Sequence, residues 1–571
     1  MIATMVNEVA ILIAKQIRTM DDSQPVAEAV AIRDGWIEQV GSVSELIEQY
    51  PTAVIDRSHS DHCLLPGFVE AHSHAMTGGM WEFTYVGFFD RRDPAGNLVT
   101  GCQSIAAVLE RLSLAHLALD DPATPLIAWG FDPIYFLDET LTAPDLDRVS
   151  SVREIFVFHA SAHLATINSK LIETANIREA CHVEGVVTGP DSQPTGELRE
   201  LPAMSLAGHV ALRILLAAAS ANSLIRFGAQ ARNAGITTLT DLGSTGLGDV
   251  ATVQQLQEVV NGSEFPARLV VFLNPAMIHR TADELGQLRT VLRDQSTDKL
   301  RFGPVKLVLD GSIQGFTARL ETAQYVGGQP NGQWLLAPEQ VQQYLRSFHD
   351  AGAIVHAHCN GDQAISLFID SAEAVFGQHS DERTQHRHTI QHCQLATQEQ
   401  LDRIATCGLA VNFFSNHLYY WGDQHATLTV GESRAAVMNP AASALARGIP
   451  VSIHSDSPIT PLGPLHVAWC AVSRQTATGQ TLGAQERISI QQALEAITIT
   501  AAWQLGMDDE IGSIAAGKRA DFVVLDRDPL GPAAEDLRTV VVVGTVLGGQ
   551  YSPACSAAIN PGTDHLSGLH D

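Results

Sequence analysis

The chain is short of the features that would send it to nucleic acid, to a membrane or to an oxidising compartment. Cations are scarce: 35 Lys and Arg stand against 63 Asp and Glu, a formal charge of −28. Such a field repels phosphate backbones and anionic headgroups, which argues against nucleic acid and membrane surfaces as partners and favours solubility. Long apolar runs are missing, and the longest, Ile214 to Ala221, falls far short of the roughly 20 residues that span a bilayer. The eight cysteines contain no C-x-x-C pair, and Cys359 and Cys393 each follow a histidine, unlike a disulfide framework. The first residues, MIATMVNEVAILIAKQIRTMDD, lack the basic-then-apolar order of a signal peptide, so they read as the first β-strand of a cytoplasmic protein. Repeats, low-complexity tracts and polybasic runs are absent.

What is present is globular: 571 residues, 45% hydrophobic and 17% charged, more than one compact core holds. Both ends are rich in strand signals. Residues 7–56 alternate β-rich runs with turns such as Asp34-Gly35, and GSIAAGKRADFVVLD (512–526) with TVVVVG (539–544) matches them at the far end. The termini, 1–63 and 509–571, are therefore expected to meet in one small β-sandwich-like domain flanking a centre at 64–508. The last residues, 552–571, read as a frayed tail.

In the centre, strand-like runs alternate with helical segments. After a first strand at 68–74 come Gly235–Gly243, Ala267–Pro275, Val305–Gly311, Ala353–Cys359, His388–Cys393, Gly408–Phe414 and Pro450–Asp456. Eight such strands make an α/β fold of the (β/α)₈ TIM-barrel type, with active-site residues at the strand C-terminal ends. The count treats 75–234 as one long insertion after the first strand, with its own strands (PLIAWGFDP, EIFVFHASA) and an amphipathic helix near 103–118.

Those C-terminal ends carry His72 and His74, Lys306, His358, His392 and Asp456. His-x-His on a strand puts both imidazoles on one face, where they can hold one metal ion. His392 follows His358 by 34 residues and Asp456 follows His392 by 64, near one and two βα units of about 32 residues. His356 and His454 share faces with His358 and Asp456, so parity leaves both pairs open, and the later member lies nearer the rim. A lysine facing the interior needs a partner or neutrality: Asp310 offers a salt bridge, and a neutral Lys306 can add carbon dioxide to become a metal-bridging carbamate. A carboxylate at the eighth strand's end can bind metal and take a proton from water.

Together PGFVEAHSH (66–74), SAHLATINS (161–169), PTGEL (194–198), KLVLDGSIQGFTA (306–318), HCNGDQA (358–364), TIQHCQ (389–394) and HSDSPITPLGPL (454–465) resemble the amidohydrolase superfamily. Within it they resemble the amidohydrolase-3 group that includes N-substituted formamide deformylase-like proteins. The resemblance implies a composite β-domain, a barrel and hydrolysis of amide-type bonds, and it supports His358, His392 and Asp456. Cys359-Asn360 stands where an apolar pair is usual, and Gln391 where an acidic residue often precedes the second histidine.

The expected chemistry is a zinc-dependent attack of water on a non-peptide amide, with Asp456 as base and then acid, one ion or two if Lys306 is carboxylated. His163 is a candidate substrate contact and oxyanion stabiliser. Trp81, Phe83, Tyr85, Phe413, Phe414, Tyr419, Tyr420 and Trp421 suggest a partly apolar pocket for a small-molecule amide, with Trp81, Phe414 and Trp421 chosen as contacts. Rival readings are a superfamily deaminase, a cyclic amide or imide hydrolase and a non-catalytic oligomeric binding protein. By resemblance the protein is a homo-oligomer.

Overall fold

The computed structural model describes residues 8–136, 139–278, 280–376, 386–532 and 536–555. They fall into two compact units, one of residues up to 74 together with those from 228 onward, the other of residues 75–227.

The first unit holds a parallel sheet of eight strands in chain order: Phe68–Val69, Ile236–Asp241, Arg268–Leu273, Leu300–Val308, Val355–Cys359, Thr389–His392, Ala410–Phe413 and Val451–Ile453. Its two ends meet. Asp456 N–H donates to the His72 carbonyl (3.2 Å), His74 N–H donates to Ser457 (2.9 Å), and Ser73 bridges to Ser457 in parallel. The Glu70 carboxylate adds to this seam by accepting from the N–H (3.1 Å) and hydroxyl (2.8 Å) of Ser455. The result is a TIM-type barrel. The strand Arg268–Leu273 is buried at every position because the barrel covers both of its faces. The helix Pro338–Asp350 begins with proline in its first turn and buries Val341, Leu345 and Phe348 along one stripe.

The first strand is shorter than the 68–74 expected. Thr240 Oγ1 accepts from Ser73 N–H and donates to the Glu70 carbonyl, both at 3.1 Å. This hydroxyl interrupts the ladder between the backbone bonds Glu70 N–H to Thr238 O (2.9 Å) and Leu242 N–H to Ser73 O (3.1 Å), and the segment reaches the eighth strand's end as well. Entry to the strand needs a glycine: a Cβ on Gly67 would lie 2.0 Å from Thr237 Oγ1.

The terminal module, expected as sandwich-like, is one seven-stranded mixed sheet. Its central strand, Val54–Pro66, pairs in parallel with Ala10–Arg18 on one side and antiparallel with Phe522–Leu525 on the other, which joins the two ends of the chain. One face carries Leu12, Ile17, Val30, Leu64 and Phe522, and the other packs Ile11, Ile13 and Ala29 against Leu46 of the helix Val43–Gln49. Asp34 and Gly35 turn the hairpin at φ 49° and 82°. Ser552 and Pro553, expected to lie in a frayed tail, are held in a strand, because Gln550–Pro553 pairs with Val542–Leu547. The remainder, 556–571, lies outside the described residues, as do 1–7 of the expected first strand.

The second unit is a six-stranded sheet in the order Val186–Thr188, Pro194–Arg199, Leu164–Ile167, Ile155–His159, Leu126–Phe131 and Thr84–Tyr85. The helix expected near 103–118 spans Ile105–Leu117 and buries Val108, Leu109 and Leu112. Among the described residues no single helix is long and apolar enough to cross a membrane.

Candidate metal centre

The strand C-terminal ends gather a nest of imidazoles. The His72 ring lies 4.6 Å from His392 and 5.5 Å from His74, and His358 lies 4.3 Å from His392, centre to centre. Asp456 Oδ1 is 3.4 Å from His72 Nε2 and 3.2 Å from His74 Nε2, and Lys306 Nζ is 3.3 Å from His72 Nε2. Two overlapping groups, His72 with His74 and Asp456, and His72 with His392 and His454, each hold their ligand atoms within 4.8 Å of one another. The six residues chosen from the sequence thus converge on one rim. His454 joins them, its ring stacked 4.7 Å from His72.

The backbone is strained where it delivers these groups. His392, Cys393 and Asp456 have φ of 67°, 48° and 54°, a left-handed conformation that costs non-glycine residues about 1–3 kcal/mol each. Such strain persists only where surrounding bonds enforce it, as Cys393 N–H to Cys359 O (3.1 Å) and the Asp456–His72 bond do here.

Burial dominates the electrostatics. It drives Lys306 down to about 7 against the pull of the Asp456 carboxylate, so a substantial share of the amine is neutral near pH 7. His72 and His392 fall well below the ordinary histidine value, chiefly by burial and then by neighbouring charges. Burial acts to raise Asp456, but His74, His454 and Lys306 outweigh it and hold the carboxyl below its usual value. Glu70 and Asp310, in contrast, are pushed up to about 8 and 7 by burial. Asp310 does not reach Lys306 as the sequence suggested. It accepts from the backbone N–H groups of Arg319, Asn360 and Gly361, and its Oδ1 lies 3.7 Å from His358 Nε2.

A divalent metal fits this donor set. Buried polar atoms are nearly always paired, yet among the described residues neither His392 Nε2 nor Asp456 Oδ1 completes a hydrogen bond, although His74 Nε2 lies 3.2 Å from the carboxylate oxygen. Both belong to residues of the two converging groups, and imidazole nitrogen with carboxylate oxygen is a combination that first-row divalent ions accept.

The other chosen residues divide. Phe414 stacks on His454 at 5.0 Å and lies 5.7 Å from His392, whereas Trp421 packs on His417 at 4.4 Å. Trp81 and His163 belong to the 75–227 unit. There Trp81 packs edge-on to Trp129 (5.2 Å), and His163 Nδ1 pairs with Glu200 at 2.9 Å. Sequence reasoning missed Gln391 and Asn412, which lie beneath the imidazoles and bond to them. Gln391 was visible only as a departure before His392, and Asn412 gave no signal.

Comparison with known proteins agrees with this geometry. The family model described as the amidohydrolase family matches residues 61–552. The chain is 24% identical over 556 residues to an N-substituted formamide deformylase of Arthrobacter pascens, covering 94% of this chain and 97% of that one. It is 25% identical over 549 residues to the protein LONG AFTER FAR-RED 3 of Arabidopsis thaliana, covering 94% and 90%. Among solved structures, an uncharacterised metal-dependent hydrolase from Pyrococcus horikoshii OT3 superposes with a TM-score of 0.69 at 20% identity, covering 92% of this chain and 98% of that one.

Proposed function

This chain belongs to the amidohydrolase family of metal-dependent hydrolases acting on carbon–nitrogen bonds, and from that premise we propose that it cleaves a non-peptide amide with Asp456 as the proton carrier. The observation that carries the reading is the convergence of His72, His74, His392 and Asp456 with two buried ligand atoms left unpaired. His72, His74, His358, His392 and Asp456 would hold the metal, and their nitrogen-rich character suits zinc. When bound, that ion supplies a Lewis acid that acidifies water and polarises a carbonyl.

Asp456 Oδ1 faces the same point as the two imidazoles, so it can take the proton that attacking water loses. Held below the usual carboxylate value, it is ionised and ready to accept at neutral pH. It then returns the proton to the leaving nitrogen, which departs as a neutral amine. The neutral fraction of Lys306 would join its Nζ to the carbon of carbon dioxide with loss of one proton, and the resulting carbamate would offer oxygen ligands to a second ion. Phe414, stacked over His454, gives the substrate an apolar surface. We place the protein in the cytoplasm as a homo-oligomer, a compartment that suits eight unbridged cysteines.

The test is hydrolysis of an amide library by zinc-loaded protein. Release of an acid and an amine is expected. Ammonia from an amino-heterocycle would replace this reading with a deaminase, and a ring-opened single product with a cyclic amidase.

A further inference from the structure

Resting on the metal-centre reading above, we infer that Gln391, Asn412 and His454 form a one-way hydrogen-bond relay that fixes the protons of His72 and His392 on Nδ1. Both rings then present Nε2 lone pairs to the metal centre. The direction is set at one end by a backbone carbonyl, which can only accept. Gln504 O lies 3.2 Å from His356 Nε2, so that nitrogen carries the proton and His356 Nδ1 carries a lone pair. Gln391 Nε2 sits 2.7 Å from that lone pair and donates to it, which fixes the amide with Oε1 on the other side.

An amide oxygen only accepts, so both groups facing Gln391 Oε1 must donate: His72 Nδ1 at 2.6 Å and Asn412 Nδ2 at 2.9 Å. The proton of His72 is thereby placed on Nδ1 and its Nε2 is freed. With Asn412 Nδ2 committed, Asn412 Oδ1 accepts from His454 Nδ1 at 3.0 Å. His454 Nε2 is left with a lone pair and takes the proton of His392 Nδ1 at 3.1 Å. His392 Nε2, the last atom of the relay, is buried and has no hydrogen-bond partner among the described residues. Gln504 is itself held, donating to Val411 O (2.8 Å) and accepting from Ser452 Oγ (2.5 Å). His72, His356, His392 and His454 are all buried, which keeps the rings neutral and the pattern single. Gln391, Asn412 and His454 are positioning residues: they act on the metal through His72 and His392.

The test uses full-length protein labelled with ¹⁵N-histidine and stripped of metal, with ring resonances assigned by single replacements. Two-bond ¹H–¹⁵N spectra are expected to show Nδ1–H for His72, His392 and His454, and Nε2–H for His356. Zinc affinity is then read by competition with a chromogenic chelator. Gln391→Glu still accepts from His72 and Asn412 but cannot donate, so His356 alone exchanges its tautomer and affinity stays within a few-fold. Asn412→Leu leaves His72 fixed, releases His454 and His392 to mixed tautomers and weakens zinc by at least about tenfold. His454→Phe keeps the ring stacking and gives a similar loss, while the visible bands of the cobalt-substituted protein keep their shape.

A proton on His392 Nε2 in the wild type overturns the relay, as does an Asn412→Leu variant of unchanged affinity. Loss of a coordination position in the cobalt spectrum of His454→Phe also overturns it, by making His454 a ligand. Wild-type protein with the expected tautomers but no zinc uptake overturns the metal reading and leaves the relay standing.

Discussion

The barrel carries two clusters of histidines, one at each end of its strands, and they differ in what they leave unused. At the N-terminal end, His388 lies 4.5 Å from His386 and 5.2 Å from His349. Val355 N–H donates to His388 Nδ1 (3.0 Å), so His388 Nε2 donates to His349 Nδ1 (3.0 Å). His386 Nδ1 accepts from His388 N–H (3.2 Å), and its Nε2 donates to Cys407 O (3.1 Å). Both nitrogens of His386 and His388 are therefore spent on holding strands to their flanking loops. At the C-terminal end the rings are as close, but His392 Nε2 and Asp456 Oδ1 are unspent and their backbone is strained. Closeness of histidines is thus common to scaffold and site, and the unspent atom separates them.

Exchanging single residues at the two ends should break activity at one and stability at the other. The largest effect is expected from Asp456→Asn, which removes the proton carrier. Turnover of the best amide should fall about 10³-fold, equivalent to about 4 kcal/mol in the barrier. Folding should change little, because asparagine tolerates the left-handed backbone at φ 54°. A variant within a few-fold of wild-type turnover would remove Asp456 from the reaction. At the other end, His388→Ala strips the acceptor from the buried Val355 N–H and leaves a cavity, a loss of about 3–4 kcal/mol in urea unfolding. Its zinc stoichiometry should match the wild type. Loss of zinc instead would show that the two ends are not independent.

The two ends also mark how far the sequence could be read. Six of the seven later strands lie within the runs of β-branched and apolar residues that announce them, the fourth beginning ahead of its run at Leu300, and the period of βα units pointed to His358, His392 and Asp456. The first strand was overestimated because its pattern continues through His74, while the hydroxyl of Thr240, distant in the chain, interrupts the ladder. Strand parity treated His454 and Asp456 as alternatives, and the turn after Ile453 brings both to the imidazoles. Lys306 and Asp310 looked like a pair by spacing, but three backbone N–H groups occupy Asp310. The contacts of Gln391 and Asn412 run from His356 on the fifth strand to His454 past the eighth and across to His72 past the first, information that no local pattern contains.

The smallest expected effect separates the ends by acid rather than by substitution alone. Burial lowers His386 to about 4 from its ordinary 6.5, so the folded protein keeps this ring neutral while the unfolded chain protonates it. The unfolded state then binds more protons between about pH 6.5 and 4, and stability that is complete above pH 6.5 drains away as pH falls through that window. A displacement of this size corresponds to at most about 3 kcal/mol. His386→Phe keeps a ring against Phe376, which stacks 4.3 Å away, and loses the bonds to Cys407 and His388 at every pH. In metal-free protein the variant should therefore be less stable at neutral pH yet lose less on acidification, a shallower slope over the same window. An unchanged slope would mean that the acid response resides entirely in the C-terminal cluster, whose buried rings are likewise held below the ordinary histidine value. Zinc distinguishes the two, since a bound ion competes with protons for His392 Nε2 but has no atom to compete for at His386.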